Sequence, residues 1–224
     1  MLAPEIQAHL RAQFEHDNAD AAASWLHRQH HVEWERANEY VIEQFRAWSI
    51  EREKMFGTRV KQLPAHLEKR LQQGNVSPEE WGETLQCGLW LERRKIFLPW
   101  RAQLHELEQL GPHKTLANGS ILCWDDETIF DGLKMQVSTN SLLTTRGLYH
   151  LNCKPPDYAV WEDAVEGTRA ERAHLTRMLG EPRAPWQDFW QWNSVGVRIT
   201  TYSPNEFHFS EPLHKYVEIR FDEK

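Results

Sequence analysis

The sequence predicts an α+β protein: an N-terminal helical bundle or hairpin, followed by a small antiparallel-sheet domain with one main helix. Two patterns indicate this class. Through the first half of the chain, apolar residues recur every three or four positions, which is the spacing of one helix face. After Gly111-Pro112 the apolar runs become short and are separated by turn residues, which is typical of strands. We therefore predict a helical domain over 1–115 and an α+β domain over 116–224.

The first long helix is indicated by one apolar face and by a glycine at its C-terminal end. Its apolar residues begin at Trp34 and continue to Met55, with charged residues on the opposite face. Gly57 supplies the C-cap, because glycine adopts the backbone conformation that ends a helix without strain. A shorter helix is predicted over 60–74.

A second long helix is predicted to begin after Ser77. Ser77-Pro78-Glu79-Glu80 combines an N-cap, a proline at the first helical position and a glutamate three residues after the cap. The apolar stripe is predicted to continue from Trp81 to Leu107. Pro99 should kink this helix, since proline removes one backbone donor.

Short strands and one helix are predicted in the second half. The predicted strands span 120–124, 128–130, 133–137, 147–151, 189–192, 195–202 and 216–221. Asp125-Asp126 and Asp131-Gly132 are predicted to form turns among the first three strands, because Asp and Gly favour tight connections. The helix is predicted over 167–179 and is closed by Gly180.

The charge balance excludes a typical nucleic-acid-binding protein. The chain carries 26 Lys and Arg against 33 Asp and Glu, for a formal net charge of −7. Most of the acidic excess lies in residues 116–224, which hold 16 acidic and 11 basic side chains. Nucleic acids bind clustered Lys and Arg, so we expect no nucleic-acid partner.

Other features of the composition indicate a soluble cytoplasmic protein. No apolar run approaches the roughly 18 residues that cross a bilayer, and the sequence shows no secretory signal. The three cysteines, an odd number, are scattered and give no disulfide framework. We therefore expect a cytoplasmic location and no membrane partner.

One group of residues resembles a metal site. If one helix carried His27, His31 and Glu35, they would lie one turn apart on the same face. The HExxH order is absent, however, and histidines are common on polar helix faces. We predict no metal and no cofactor, and keep a metal-dependent enzyme as the third and weakest hypothesis.

The remaining enzyme signatures are also missing. Cys87, Cys123 and Cys153 carry no local pattern of a nucleophile. The sequence contains no GxSxG, GxxxxGK[ST] or GxGxxG motif. We therefore predict that the protein is not an enzyme.

Three charged or aromatic segments remain to be explained. Asp125-Asp126-Glu127, with Asp131, is an acidic group of the kind that usually caps turns and stays solvated. Arg93-Arg94-Lys95 is predicted to be a solvated helix face. In 186–192, Trp186, Trp190 and Trp192 are spaced to share one strand face, with Phe189 on the other. We expect one face to pack on the core and the other on the helix, the N-terminal half or a partner.

The C-terminal quarter of the chain has a familiar order of elements. From Ala170 to Asp222 it runs as a helix, the turn Leu179-Gly180-Glu181-Pro182, the aromatic strand, Gly196-Val197-Arg198-Ile199 and a strand over 216–221. This order resembles small immunity-type domains of bacterial toxin–immunity systems. In those domains a helix ends in an LGxP-like turn, and a tryptophan-bearing strand, a "GI-x-V"-like strand and an alternating strand follow.

The resemblance implies a non-enzymatic immunity protein that binds and neutralises a cognate bacterial toxin by occlusion. An acidic surface would suit a basic, nuclease-like toxin, because complementary charge speeds encounter and fixes orientation. The residues that we expect to contact the toxin are Asp125, Asp126, Glu127, Asp131, Trp186 and Asp188. The alternative is a helical adaptor or secretion chaperone, whose helices over 34–55 and 81–107 pair with another chain.

Overall fold

The computed structural model describes residues 3–57, 60–155, 161–183, 188–202 and 214–222. It confirms the predicted α+β class, with helices at the N-terminus followed by an antiparallel sheet and a helix. The chain forms two compact units that interleave along the sequence. The first unit comprises Met1–Val60, Arg101–Cys123 and Thr139–Leu148, and the second comprises Lys61–Trp100, Trp124–Ser138 and Tyr149–Lys224. The predicted division into domains at residue 115 stays a prediction.

Three helices open the first unit. They are α1 (Pro4–Glu15), α2 (Ala19–His30) and α3 (Trp34–Phe56). Their apolar faces pack on one another around Phe14, whose ring lies 5.3 Å from that of Phe45 and 5.8 Å from that of Trp48. The helix predicted from Trp34 is confirmed, and so is its cap, because the N–H of Gly57 donates to the carbonyl of Glu53.

Short elements complete the first unit. Residues 61–100 belong to the second unit, so the next helix of the first unit is α6 (Leu104–Leu107). Strand β3 (Lys114–Leu116) then pairs antiparallel with the first residues of β4 (Ile121–Ile129).

The second unit begins with two helices and a hairpin. Helix α4 (Ala65–Gln73) is followed by α5 (Pro78–Cys87), β1 (Gly88–Leu91) and β2 (Ile96–Pro99). The capping box at Ser77 is confirmed: its Oγ accepts from the N–H of Glu80 at 3.3 Å, and its own N–H donates to the Glu80 carboxylate at 2.8 Å.

The helix predicted to continue to Leu107 is wrong beyond Cys87. Residues 88–91 are all buried, and a short run of buried apolar residues fits a strand as well as a helix. Gly88 allows β1 and β2 to pair closely, since a β-carbon there would lie 2.2 Å from the carbonyl oxygen of Leu98. Pro99 does not kink a helix; it ends β2, where proline is tolerated.

The remaining strands of the second unit form one sheet. They are β5 (Leu133–Thr139), β6 (His150–Lys154), β7 (Phe189–Trp192), β8 (Val195–Tyr202) and β9 (His214–Phe221). With β3 and β4 they make a seven-stranded sheet, in the order β3, β4, β5, β6, β9, β8, β7. The last four strands pair antiparallel, with Val217 opposite both Cys153 and Ile199.

Three predictions in this region need correction. The strands predicted over 120–124 and 128–130 are one strand, β4, so Asp125-Asp126 is not a turn. The strand predicted over 147–151 lies at 150–154, and helix α7 (Trp161–Leu179) begins six residues before its predicted start at residue 167. Asp131-Gly132 does form the turn between β4 and β5, as predicted.

The aromatic strand β7 packs as its spacing predicts. Trp190 is buried, and its indole N–H donates to the carbonyl of Gly180 at 2.9 Å. Trp192 lies against α5, where a β-carbon at Gly82 would meet its ring at 2.9 Å. Phe189, on the other face, covers Gly196.

Among the helices that the structure describes, none combines the length and apolarity needed to cross a membrane.

Candidate protein-binding site

The structure brings four of the six predicted contact residues together. Asp125, Asp126 and Glu127 lie in β4, and Asp131 lies in the turn that follows it. Asp188 precedes β7, at the opposite end of the strand order, and its carboxylate is ion-paired with Arg172 of α7 at 2.9 Å. Trp186 lies outside the described residues.

The basic triplet Arg93-Arg94-Lys95 is not a helix face. It forms the tip of the β1–β2 hairpin, which lies beside β4. Arg93 donates to the carbonyl of Asp126 at 2.8 Å and is ion-paired with the Asp126 carboxylate. Arg94 donates to the carbonyl of Asp125 at 3.0 Å and is ion-paired with Glu127. The acidic side chains of β4 are therefore largely compensated by arginines.

The three β4 carboxylates differ in what they can offer to a partner. Glu127 is completely buried, and its carboxylate is ion-paired with Arg94. The carboxylate of Asp125 accepts from the side-chain amide of Gln136 at 2.5 Å. Asp126 is the exposed one, with 72% of its side chain accessible, although Arg93 is bound to it.

The turn after β4 adopts an unusual backbone conformation. Phe130, Asp131 and Gly132 have φ angles of 51°, 63° and 100°. A bulky aromatic residue rarely adopts a positive φ, and each such residue costs about 1–3 kcal/mol. The surrounding structure must therefore hold this turn in place.

Three elements hold the turn: helix α5, helix α7 and the β1–β2 hairpin. The ring of Phe130 is buried against Trp81 of α5, with centroids 5.4 Å apart. The carbonyl of Phe130 accepts from Nε2 of His174 in α7 at 2.6 Å. Nδ1 of the same imidazole accepts from Arg177 at 2.9 Å, which fixes the tautomer that carries its proton on Nε2.

Glu92 ties this turn to the β1–β2 hairpin. Its carboxylate accepts from the N–H of Asp131 at 2.5 Å and from the N–H of Gly132 at 2.9 Å. Its own N–H donates to the carbonyl of Thr128 at 3.0 Å. Burial raises the pKa of Glu92 despite the N–H groups, which lower it, and the charge of nearby Asp131 raises it further.

The two tips together present a small surface of mixed charge. We call Arg93, Lys95, Asp126 and Asp131 the paired-tip surface; all four residues are exposed. Asp131 differs from the other predicted carboxylates, because its side chain has no partner among the residues that the structure describes. The contribution of the hairpin was not predicted from the sequence. Gly88 and Pro99, placed on either side of a charged tetrapeptide, were the signal that could have revealed it.

The predicted histidine face does not exist. Helix α2 ends at His30, His31 has a left-handed φ of 53°, and α3 begins only at Trp34. His27, His31 and Glu35 thus do not share one helix, and Nδ1 of His27 is hydrogen-bonded to the carbonyl of Val32 at 2.9 Å. Within the described ranges, no three His, Cys, Asp or Glu side chains lie close enough to hold a metal ion.

The cysteines are poor nucleophiles in their surroundings. Cys153 is completely buried, and this burial raises the pKa of its thiol far above the usual range. Burial also raises the pKa of Cys87. A thiol reacts through its thiolate, so the raised pKa lowers the reactivity of both side chains. Comparison with known proteins gives no matching family model, no matching curated protein and no matching solved structure.

Proposed function

We propose that this protein is a non-enzymatic immunity protein that binds a bacterial toxin and neutralises it by occlusion. The observation that carries the proposal is the carboxylate of Asp131. It is exposed and has no partner among the described residues. Its N–H donates to Glu92 of the β1–β2 tip, and the preceding residue, Phe130, is held by α5 and α7. Asp131 is therefore a fixed negative charge that a lysine or arginine of a partner can reach.

The rigidity of the paired-tip surface supports a role in protein binding. A loop that is ordered before binding loses little conformational entropy on binding, so more of the contact energy appears as affinity. The exposed charges of both signs favour one orientation of a partner, since a reversed orientation would place like charges together.

Two further observations support the choice of a toxin as the partner. The segment from Ala170 to Asp222 resembles immunity-type domains in its order of elements. The net charge of −7 suits a basic partner such as a nuclease. A cytoplasmic location and the absence of nucleic-acid and membrane partners belong to the same proposal.

The test is recovery of the partner from the native host. The tagged protein is isolated and stoichiometric companions are identified by mass spectrometry. A small basic protein that is toxic when expressed alone is the expected result. The Asp131→Asn variant, which keeps a residue tolerant of positive φ, should then bind this partner about tenfold more weakly. Glu83→Gln, which removes one exposed charge from α5, is the matched control and should bind normally.

A result of another kind would reject the proposal. If the companion is not toxic, or if Asp131→Asn and Glu83→Gln bind the toxin equally well, the immunity role or the assigned surface is wrong.

The adaptor alternative is favoured by a different observation. Trp34, Met55 and Phe56 are exposed large hydrophobic side chains at the two ends of α3, with Met55 and Phe56 at least 70% accessible. Contiguous exposed apolar side chains mark contact surfaces, and Met55 and Phe56 are adjacent at one end of α3. Recovery of scaffold or secretion components, lost on substitution of Met55 and Phe56 by serine but retained by Asp131→Asn, would favour the adaptor.

A further inference from the structure

A second polar cluster lies in the first unit, between α3 and α6. His105 of α6 faces two residues of α3 that lie one helical turn apart. Its Nδ1 is 3.3 Å from Oγ of Ser49, and its Nε2 is 3.0 Å from a carboxylate oxygen of Glu53. Ser49 is buried, and the imidazole and the Glu53 carboxylate are mostly buried.

All the hydrogen bonds of this cluster form at once when both nitrogens of the imidazole carry a proton. The hydroxyl of Ser49 has a single hydrogen, which it donates to the carbonyl of Arg46 at 2.9 Å. Nδ1 of His105 must then donate to Ser49, and Nε2 must donate to Glu53. A neutral imidazole would require the Ser49 hydroxyl to abandon its bond to Arg46 for the longer one to His105.

Carboxylates surround the imidazole. Glu106, the next residue in α6, lies close enough to both Glu53 and His105 for their charges to act on it. Burial raises the pKa of Glu106, and the charge of Glu53 raises it further. Arg46 does not relieve this repulsion, because its guanidinium is bound to Glu108 through Nε at 3.0 Å and through Nη2.

We propose that Ser49, Glu53, His105 and Glu106 form a proton-dependent latch that holds α6 on α3. When the imidazole is charged it bridges the two helices. When that proton leaves, Glu53 and Glu106 face each other without a cation between them, and the latch opens. The latch lies in the first unit and does not depend on the identity of any partner.

The direction of the pH effect follows from the groups involved. Histidine is the side chain that changes charge near neutral pH. The raised pKa of Glu106 acts in the same direction, because the folded protein then binds more protons than the unfolded chain and gains stability as the pH falls. The latch is therefore closed in mild acid and open in mild base.

The experiment uses the full-length protein. Nitrogen chemical shifts of His105 are measured by NMR, together with hydrogen-exchange protection of the amides of Leu107 and Glu108, which donate to the carbonyls of Gln103 and Leu104. The shifts should show both ring nitrogens protonated in the pH range where protection is highest. After correction for intrinsic exchange, protection should fall about two- to fivefold between about pH 6 and about pH 8.5.

Three variants decide the result. His105→Gln should lose the pH dependence, and Glu106→Gln should keep high protection in base because the repulsion is gone. His16→Gln, an exposed histidine of the same unit, should behave like the natural protein. The latch is refuted if His105→Gln keeps the same pH dependence, or if the nitrogen shifts of His105 show a neutral ring at the pH where protection is highest.

Discussion

Arg93 and Arg94, adjacent at one hairpin tip, make two ion pairs that differ in burial. The pair between Arg94 and Glu127 contains a carboxylate with no exposed surface, whereas Arg93 and Asp126 remain 56% and 72% accessible. Removing one partner of a buried pair leaves an uncompensated charge, while an exposed pair is weakened by water and salt. The first pair therefore fixes the hairpin to the strand, and the second remains available to other molecules.

The largest expected effect comes from breaking the buried pair. Arg94→Met removes the guanidinium and leaves the Glu127 carboxylate buried without a cation. The free energy of unfolding should fall by about 3 kcal/mol, measured by urea denaturation. Adding Glu127→Met to this variant should restore part of the loss, because the unpaired charge is then gone. A double variant that is less stable than Arg94→Met would contradict this role of Glu127.

A smaller effect is expected where Glu92 joins the two tips. Glu92→Ala removes the acceptor of the Asp131 and Gly132 N–H groups, and the strained turn loses its support. Stability should fall by about 2 kcal/mol, and hydrogen exchange at both amides should become faster. Glu92→Gln keeps one acceptor oxygen, so it should lose less. Unchanged exchange at these amides in Glu92→Ala would show that Phe130 alone holds the turn.

The pKa of Glu92 offers a subtler test of the same junction. In the natural protein this carboxyl should titrate above its ordinary value, and the raised pKa means that Glu92 contributes more stability as the pH falls toward that value. Asp131→Asn should lower the pKa of Glu92, since the charge of Asp131 raises it. The measurement is a carboxyl titration by NMR, with Glu83→Gln as a control that should leave Glu92 unchanged.

The smallest effect on stability is expected at the exposed pair. Arg93→Met should change the free energy of unfolding by no more than about 0.5 kcal/mol. It should alter partner binding instead, because Asp126 would lose its covering cation. A loss as large as that of Arg94→Met would erase the distinction between the two pairs.

The sequence was most informative where the deciding interactions are local. Helix α3 and the capping box at Ser77 depend on residues within a few positions of one another, so their patterns predicted them. The turn at Asp131-Gly132 was also predicted from its residue types, although distant residues hold its backbone. The β1–β2 hairpin was missed because Leu89, Trp90 and Leu91 are buried on every side and show no period.

The candidate site was predicted only in part for the same physical reason. Asp125-Asp126 looked like a turn because its compensating arginines lie more than thirty positions earlier in the chain. The histidines after His27 looked like one helix face because a single left-handed residue, His31, ends the helix there. Neither the arginine contacts nor the hydrogen bond between His174 and Phe130 can be predicted from the spacing of neighbouring residues in the sequence.

Gly88 gives the hairpin an unexpected vulnerability. It touches none of the charged residues, yet its bare backbone lets the strand carrying Leu98 and Pro99 come close. A single methyl group here would clash with the carbonyl oxygen of Leu98 and push the two strands apart at the base of the hairpin. The tip of the hairpin would then move away from β4. Every charge of the paired-tip surface would still be present in such a protein, but the charges would no longer be aligned. The partner binding that we propose for this surface would then be lost through a residue that does not itself contact the partner.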